Sequence, residues 1–111
     1  MVSNVKSTDA NLKSNIMPAF LMISGHILRN KKKEFEQTFR LGFSFLSKDC
    51  ISRSISIDKE NEEIYYFFSL WSHEEALNSF MESSDFQLLN GAFYALGENR
   101  QSVKGKVIDS L

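Results

Sequence analysis

Two imidazoles, one indole, one thiol and a surplus of phenylalanines are the groups around which this 111-residue chain could build chemistry. His26 is the first choice for a general base, because an unperturbed imidazole titrates nearest neutrality. It shares the parity of Met22 and Ser24 in an otherwise apolar run, so a core histidine bonded to backbone is the alternative. His73 falls in the first turn of a helix, where the dipole opposes its cationic form, and reads as a surface residue. Trp71 ends an aromatic strand; its ring can wall a pocket and its N–H can donate to a substrate oxygen, or it simply fills the core. Tyr65 and Tyr66 point to opposite faces of that strand, so at most one of them reaches a given cavity. Arg53 is the only charge among the isoleucines of its strand, placed to fix an anionic substrate or to form an interface salt bridge. Asn90 lies one residue from an apolar helical stripe, as a pocket donor or a solvated side chain. Phe80 and Phe93, on helical stripes of their own, are candidates to line an aromatic slot. Cys50 has no His or basic neighbour in sequence and reads as a small buried residue. Glu74 and Glu75 are helix-cap residues first.

Length and charge narrow the function classes. The chain is near the common size of a single domain, about 100–150 residues. Thirteen basic against fourteen acidic residues give a formal charge of −1. That argues against broad nucleic-acid binding, which needs a basic face to displace counterions, and against a polybasic membrane anchor. A single cysteine excludes an internal disulfide and a multi-cysteine metal site. The two histidines have no His-x-His or His-x-x-x-His spacing, so no ready metal set is present. The longest apolar run, Pro18 to Leu28, is about half the roughly 20 residues of a membrane helix. Its basic cluster follows the run, the reverse of a secretory signal. These features lead us to expect a cytoplasmic protein with no membrane partner. Aromatic residues make up 13% of the chain, ten of them Phe; such side chains fill a core or line a pocket for a planar ligand.

The elements that would position these groups follow from periodicity. Residues 1–18 read as a loose leader, and residues 19–111 as one domain. Ala19 to Leu28 is apolar on both parities and suits a strand buried on both faces. Asn30 can cap a helix whose stripe is Phe35, Phe39, Phe43 and Leu46. Cys50 to Asp58 alternates, with Ile51, Arg53, Ile55 and Ile57 facing one way and three serines the other. A polar turn at Lys59 to Glu62 joins it to an aromatic strand, Ile64 to Trp71. Ser72 and Glu75 form a capping box for the next helix. Ser83-Ser84-Asp85 interrupts that helix, and Ser84 with Gln87 restarts a cap. Phe86, Leu89, Phe93 and Leu96 continue the apolar side, with Gly97 as the left-handed terminating residue. Arg100 to Ile108 is a last strand.

This order, β-α-β-β-α-β, predicts an α+β ferredoxin-like fold, an antiparallel four-stranded sheet with two helices on one face. The helices leave the other face uncovered, yet two strands are apolar there as well. Large exposed apolar patches are rare on monomers, so we expect a homodimer through the open sheet face.

From about residue 19 to 109 the chain resembles the antibiotic biosynthesis monooxygenase family. The resemblance is carried by Phe68-Ser69-Leu70-Trp71-Ser72-His73-Glu74-Glu75-Ala76-Leu77, an apolar strand ending in Trp, a polar cap and then Glu-Ala-Leu. Ser83-Ser84-Asp85-Phe86-Gln87-Leu88-Leu89 matches the family's small-residue break. The resemblance implies a dimeric α+β barrel and oxidation of phenols or quinols with dioxygen, without metal or flavin. A haem-degrading branch of the family has Trp where this chain has Phe80 and His where it has Asn90. Many quinol-oxidising relatives have His near the position of Phe80, which this chain also lacks. The implied chemistry needs a dry aromatic slot for a small aromatic ligand, a base, and a donor for developing negative charge. A non-catalytic binding module of the same fold is the alternative. An RNA-recognition module fits poorly, because Glu62-Glu63-Ile64-Tyr65-Tyr66-Phe67 has acids where basic and glycine residues belong. An acylphosphatase fits no better, since Arg29 to Lys33 contains no glycine for a phosphate loop.

Overall fold

In the computed structural model, which describes residues 17–42 and 47–109, the chain runs β1 (Ala19–Ile27), α1 (Lys32–Gly42), β2 (Cys50–Ile57), β3 (Ile64–Trp71), α2 (Glu74–Met81), α3 (Ser84–Leu96) and β4 (Gly97–Lys106). All neighbouring strands pair antiparallel, in the order β2-β3-β1-β4. Each βαβ crossover therefore skips one strand, the ferredoxin-like arrangement expected from the sequence. The second helix is divided into α2 and α3.

Alternation decides which face is covered. In β1, Ala19, Leu21, Ile23 and Ile27 are buried, while Phe20, Met22, Ser24 and His26 between them are half-buried. In β3 the buried set is Tyr65, Phe67, Ser69 and Trp71. The register sets Ile23 opposite Phe67 and Leu21 opposite Ser69, so the two buried sets share one face. Against it pack Phe35 and Phe39 of α1, Leu77 of α2, and Phe86, Leu89 and Phe93 of α3. The ring of Phe35 lies 4.7 Å from Phe39, 4.9 Å from Tyr65 and 4.9 Å from Phe93, in the tilted and edge-on geometries that aromatic pairs prefer. Burying each such ring contributes about 1.5–3 kcal/mol. Phe43 and Leu46 of the expected stripe lie outside the described residues, as do residues 1–16 of the expected leader. The Pro18 carbonyl already joins the fold, accepting from the Val107 N–H at 2.8 Å.

Several local expectations are corrected. Asn30 does not cap α1; it lies inside a 3-10 turn, Arg29–Lys31, that runs into Lys32. The cap of α2 is His73, not Ser72, whose hydroxyl instead donates to Asp49 Oδ1 at 3.3 Å. The cap of α3 is Ser83, its Oγ accepting from the Phe86 N–H at 3.2 Å. Gly97 is extended, with φ −147°, and passes directly into β4. A Cβ at Gly97 would lie 2.5 Å from the His26 carbonyl oxygen, so close strand approach is what requires glycine there. Ile51 does not share the face of Arg53. The register shifts between Cys50 and Ser52, and this bulge sets Cys50 opposite Trp71 and leaves Ile51 exposed.

The open face carries Phe20 and Met22 of β1 and Phe68 and Leu70 of β3, with the Phe20 and Phe68 rings 6.0 Å apart. Val103 of β4 pairs with Met22 and is 52% exposed. The Phe20 ring lies over Gly105, where any side chain would collide with it. Among the described residues no helix is long and apolar enough to cross a membrane.

Candidate active site

Where β2 bulges against β3, the small side chain of Ser69 and the short helix α2 leave a pocket of about 480 Å³ on the covered side of the sheet. This lies within the usual range for small-molecule sites, about 300–1,000 Å³. Phe67, Trp71, Ala76 and Phe80 line its apolar part; Asp49, Arg53, His73, Glu75 and Asp85 supply charged or ionisable groups, and Cys50 and Ser69 also line it. Trp71 and Phe80 stack at 4.8 Å and 29°, and Phe86 meets Phe80 edge-on at 5.6 Å. The Trp71 indole Nε1 is buried with no acceptor among the described residues. Leaving a buried donor unpaired costs about 1–3 kcal/mol.

His73 turns Nδ1 onto α2, where it accepts the Ala76 N–H at 3.1 Å. A backbone N–H can only donate, so Nδ1 carries the lone pair and the proton of the neutral ring sits on Nε2. That Nε2 is 4.0 Å from Asp49 Oδ1. Burial pushes the Cys50 thiol up, outweighing the lowering influence of Arg53 and of the Ser52 backbone. It is therefore a neutral thiol near pH 7, and a poor nucleophile. Among the described residues no three His, Cys, Asp or Glu side chains come together as a metal-ligand set.

Of the residues singled out from sequence, the structure brings Trp71, Phe80 and Arg53 together here. His26 lies on the opposite face of the sheet, its Nε2 2.8 Å from Glu63 Oε1. That hydrogen bond holds the Glu63 carboxyl below its ordinary range. Asn90 Oδ1 accepts from Arg100 Nε at 2.6 Å and ties α3 to β4. Tyr65 is on the covered face but donates to Glu36 Oε2 of α1 at 3.1 Å. Tyr66, on the open face, donates to Asp58 Oδ1 at 2.6 Å. Phe93 is part of the aromatic core, 1% exposed. Thus five of the eight named positions serve other parts of the fold. The pocket also holds His73, read from sequence as a surface residue, Cys50, read as a small buried one, and Asp49, which sequence did not single out. A histidine two positions after a strand-ending Trp and three before Ala76 was the available signal for the first.

No family model and no curated protein matches the sequence. Solved structures do match. A variant of SnoaB, a cofactor-independent oxygenase from Streptomyces nogalater, superposes with a TM-score of 0.71 at 14% identity, over 85% of this chain and 96% of that one. An antibiotic biosynthesis monooxygenase gives 0.69 at 13% identity, over 82% and 99%. A conserved protein from Bacteroides thetaiotaomicron gives 0.73 at 13% identity, over 83% and 99%. At these identities the likeness is one of fold. The chain has the fold found in antibiotic biosynthesis monooxygenases, as the sequence resemblance implies.

Proposed function

We propose that the chain is a small cytoplasmic monooxygenase that oxidises an aromatic, phenolic or quinol-like compound with dioxygen, without metal or flavin. The observation that carries the reading is the aromatic pocket beside α2, on a fold shared with a cofactor-independent oxygenase. Fold does not fix activity, so the reading rests on what the lining can do. A planar ring packs against Trp71 and Phe80. Asp49, one of the lining carboxylates, is assigned to take a proton from a phenol or an activated methylene, because His26 lies on the opposite face of the sheet. The anion gives one electron to dioxygen; the resulting radical and superoxide couple at carbon, and the peroxide sheds water to leave a carbonyl. One oxygen atom enters the product and the other leaves in water with two substrate hydrogens, both from the methylene or, for a phenol, the hydroxyl hydrogen and the one on the oxygenated ring carbon, so no further reductant is consumed.

The apolar open face supports a homodimer formed by two copies of Phe20, Met22, Phe68, Leu70 and Val103 about a two-fold axis. A non-catalytic binding module is the second reading, favoured by one observation. The imidazole of the pocket is committed at Nδ1 to Ala76 and offers no free basic nitrogen.

Oxygen uptake by metal-stripped protein with hydroquinones, anthrones and catechols tests the proposal. Saturable uptake with one scaffold is expected. Thermal stabilisation by these compounds without uptake would establish the binding module instead.

A further inference from the structure

We infer that His73 serves the pocket as a hydrogen-bond donor and not as a base, its Nε2–H and the Trp71 indole N–H selecting an uncharged aryl alcohol or ketone through the ligand's oxygen. This deepens the oxygenase reading and rests on it. The first support is the cap: the Ala76 N–H occupies Nδ1 at 3.1 Å, and protonating that nitrogen would break the bond that starts α2. The second is the environment of Nε2. At 4.0 Å from Asp49 Oδ1, it is beyond hydrogen-bond length, and the side chain is 35% exposed. An incoming oxygen can therefore take the proton that Asp49 attracts only loosely. The third is independent of His73. Trp71 is 5% exposed and its Nε1–H has no acceptor among the described residues, although its ring lines the same pocket. This donor is covered in the ligand-free structure, so a ligand oxygen would meet it only by displacing the Trp71–Phe80 stack.

Charge then sets the ligand class. Among the described residues, three carboxylates line the pocket, Asp49, Glu75 and Asp85, against the guanidinium of Arg53. A ligand that arrives as a carboxylate or phosphate meets net repulsion, whereas a neutral phenol or ketone does not. As negative charge grows on the ligand oxygen during proton removal, two neutral N–H donors stabilise it without returning the proton.

Nitrogen-15 NMR of the ligand-free protein, with His73 assigned by its loss in His73→Asn, should show the Nε2–H tautomer at neutral pH. 2-Naphthol should bind the wild type and shift the His73 Nε2 signal. Asparagine keeps an N-cap oxygen but is too short to donate into the pocket, so His73→Asn should bind 2-naphthol about tenfold more weakly, the scale of one hydrogen bond. 6-Hydroxy-2-naphthoate should bind the wild type less tightly than 2-naphthol. An Nδ1–H tautomer or an imidazolium at neutral pH overturns the inference. So do unchanged affinity in His73→Asn, preference for the carboxylate, or no 2-naphthol binding. If the donor results hold and no substrate consumes oxygen, the oxygenase reading fails and the donor assignment stands. Uptake with the wrong tautomer fails the donor assignment alone.

Discussion

Tyr65 packs its ring against Phe35 and donates its hydroxyl to Glu36. Burial first, and then the Glu36 acceptor, push its phenol up to about 12. The fold therefore holds the neutral form. The stability this group contributes is fully present below the unfolded value of about 10 and is lost as the pH rises from there toward the folded value. Tyr65→Phe should flatten that alkaline loss, read by denaturation midpoints through the alkaline range; an unchanged slope would contradict the assignment. Residue roles were legible only where they depended on the residue's own strand or helix. Trp71 and Phe80 reach the pocket because strand parity and helical stripe both point there. His73 was hidden because Ser72 fits the local capping rule, and only the fold shows that Asp49 has taken the Ser72 hydroxyl. Asn90 and His26 have partners far along the chain, Arg100 and Glu63, which sequence patterning does not reveal.

The elements themselves were easier to read. Period-two alternation in β1 and β3 and the Phe35–Phe39 spacing in α1 report burial directly, and burial fixes the layers. Element ends depend on tertiary neighbours, which is why three helix starts and the conformation of Gly97 were misplaced. The bulge at Ile51 is likewise an event between strands; it leaves Ile51 exposed and sets Cys50 opposite Trp71, in the pocket wall. Gly97 gives a test at this scale. Gly97→Ala places a methyl group against the His26 carbonyl and the Ile27 side chain, and the backbone shift it forces should cost about 1–3 kcal/mol. Chemical denaturation would measure it. A neutral effect would mean that β4 can move away from β1 without loss.

The described residues present two unlike faces, an aromatic core and its pocket under three helices and an open sheet surface rich in Phe, Met and Leu. If two copies bury that surface, sedimentation at micromolar concentration should give twice the 12.8 kDa chain mass. Leu70→Asp, which sets charges near the middle of the proposed contact, should give the single-chain mass with the fold retained. A wild-type monomer would refute the dimer and leave the pocket untouched, since the two lie on opposite sides of the sheet. The proposed chemistry belongs to the covered side of the sheet. Oxygen uptake with the best substrate should therefore be compared in the wild type, in His26→Ala on the open face, and in Ser79→Trp, because Ser79 of α2 also lines the pocket and a Trp side chain there would fill it. Uptake should be kept in His26→Ala and lost in Ser79→Trp, with both variants folded by circular dichroism. Uptake kept in Ser79→Trp and lost in His26→Ala would contradict this and move the reaction to the open face.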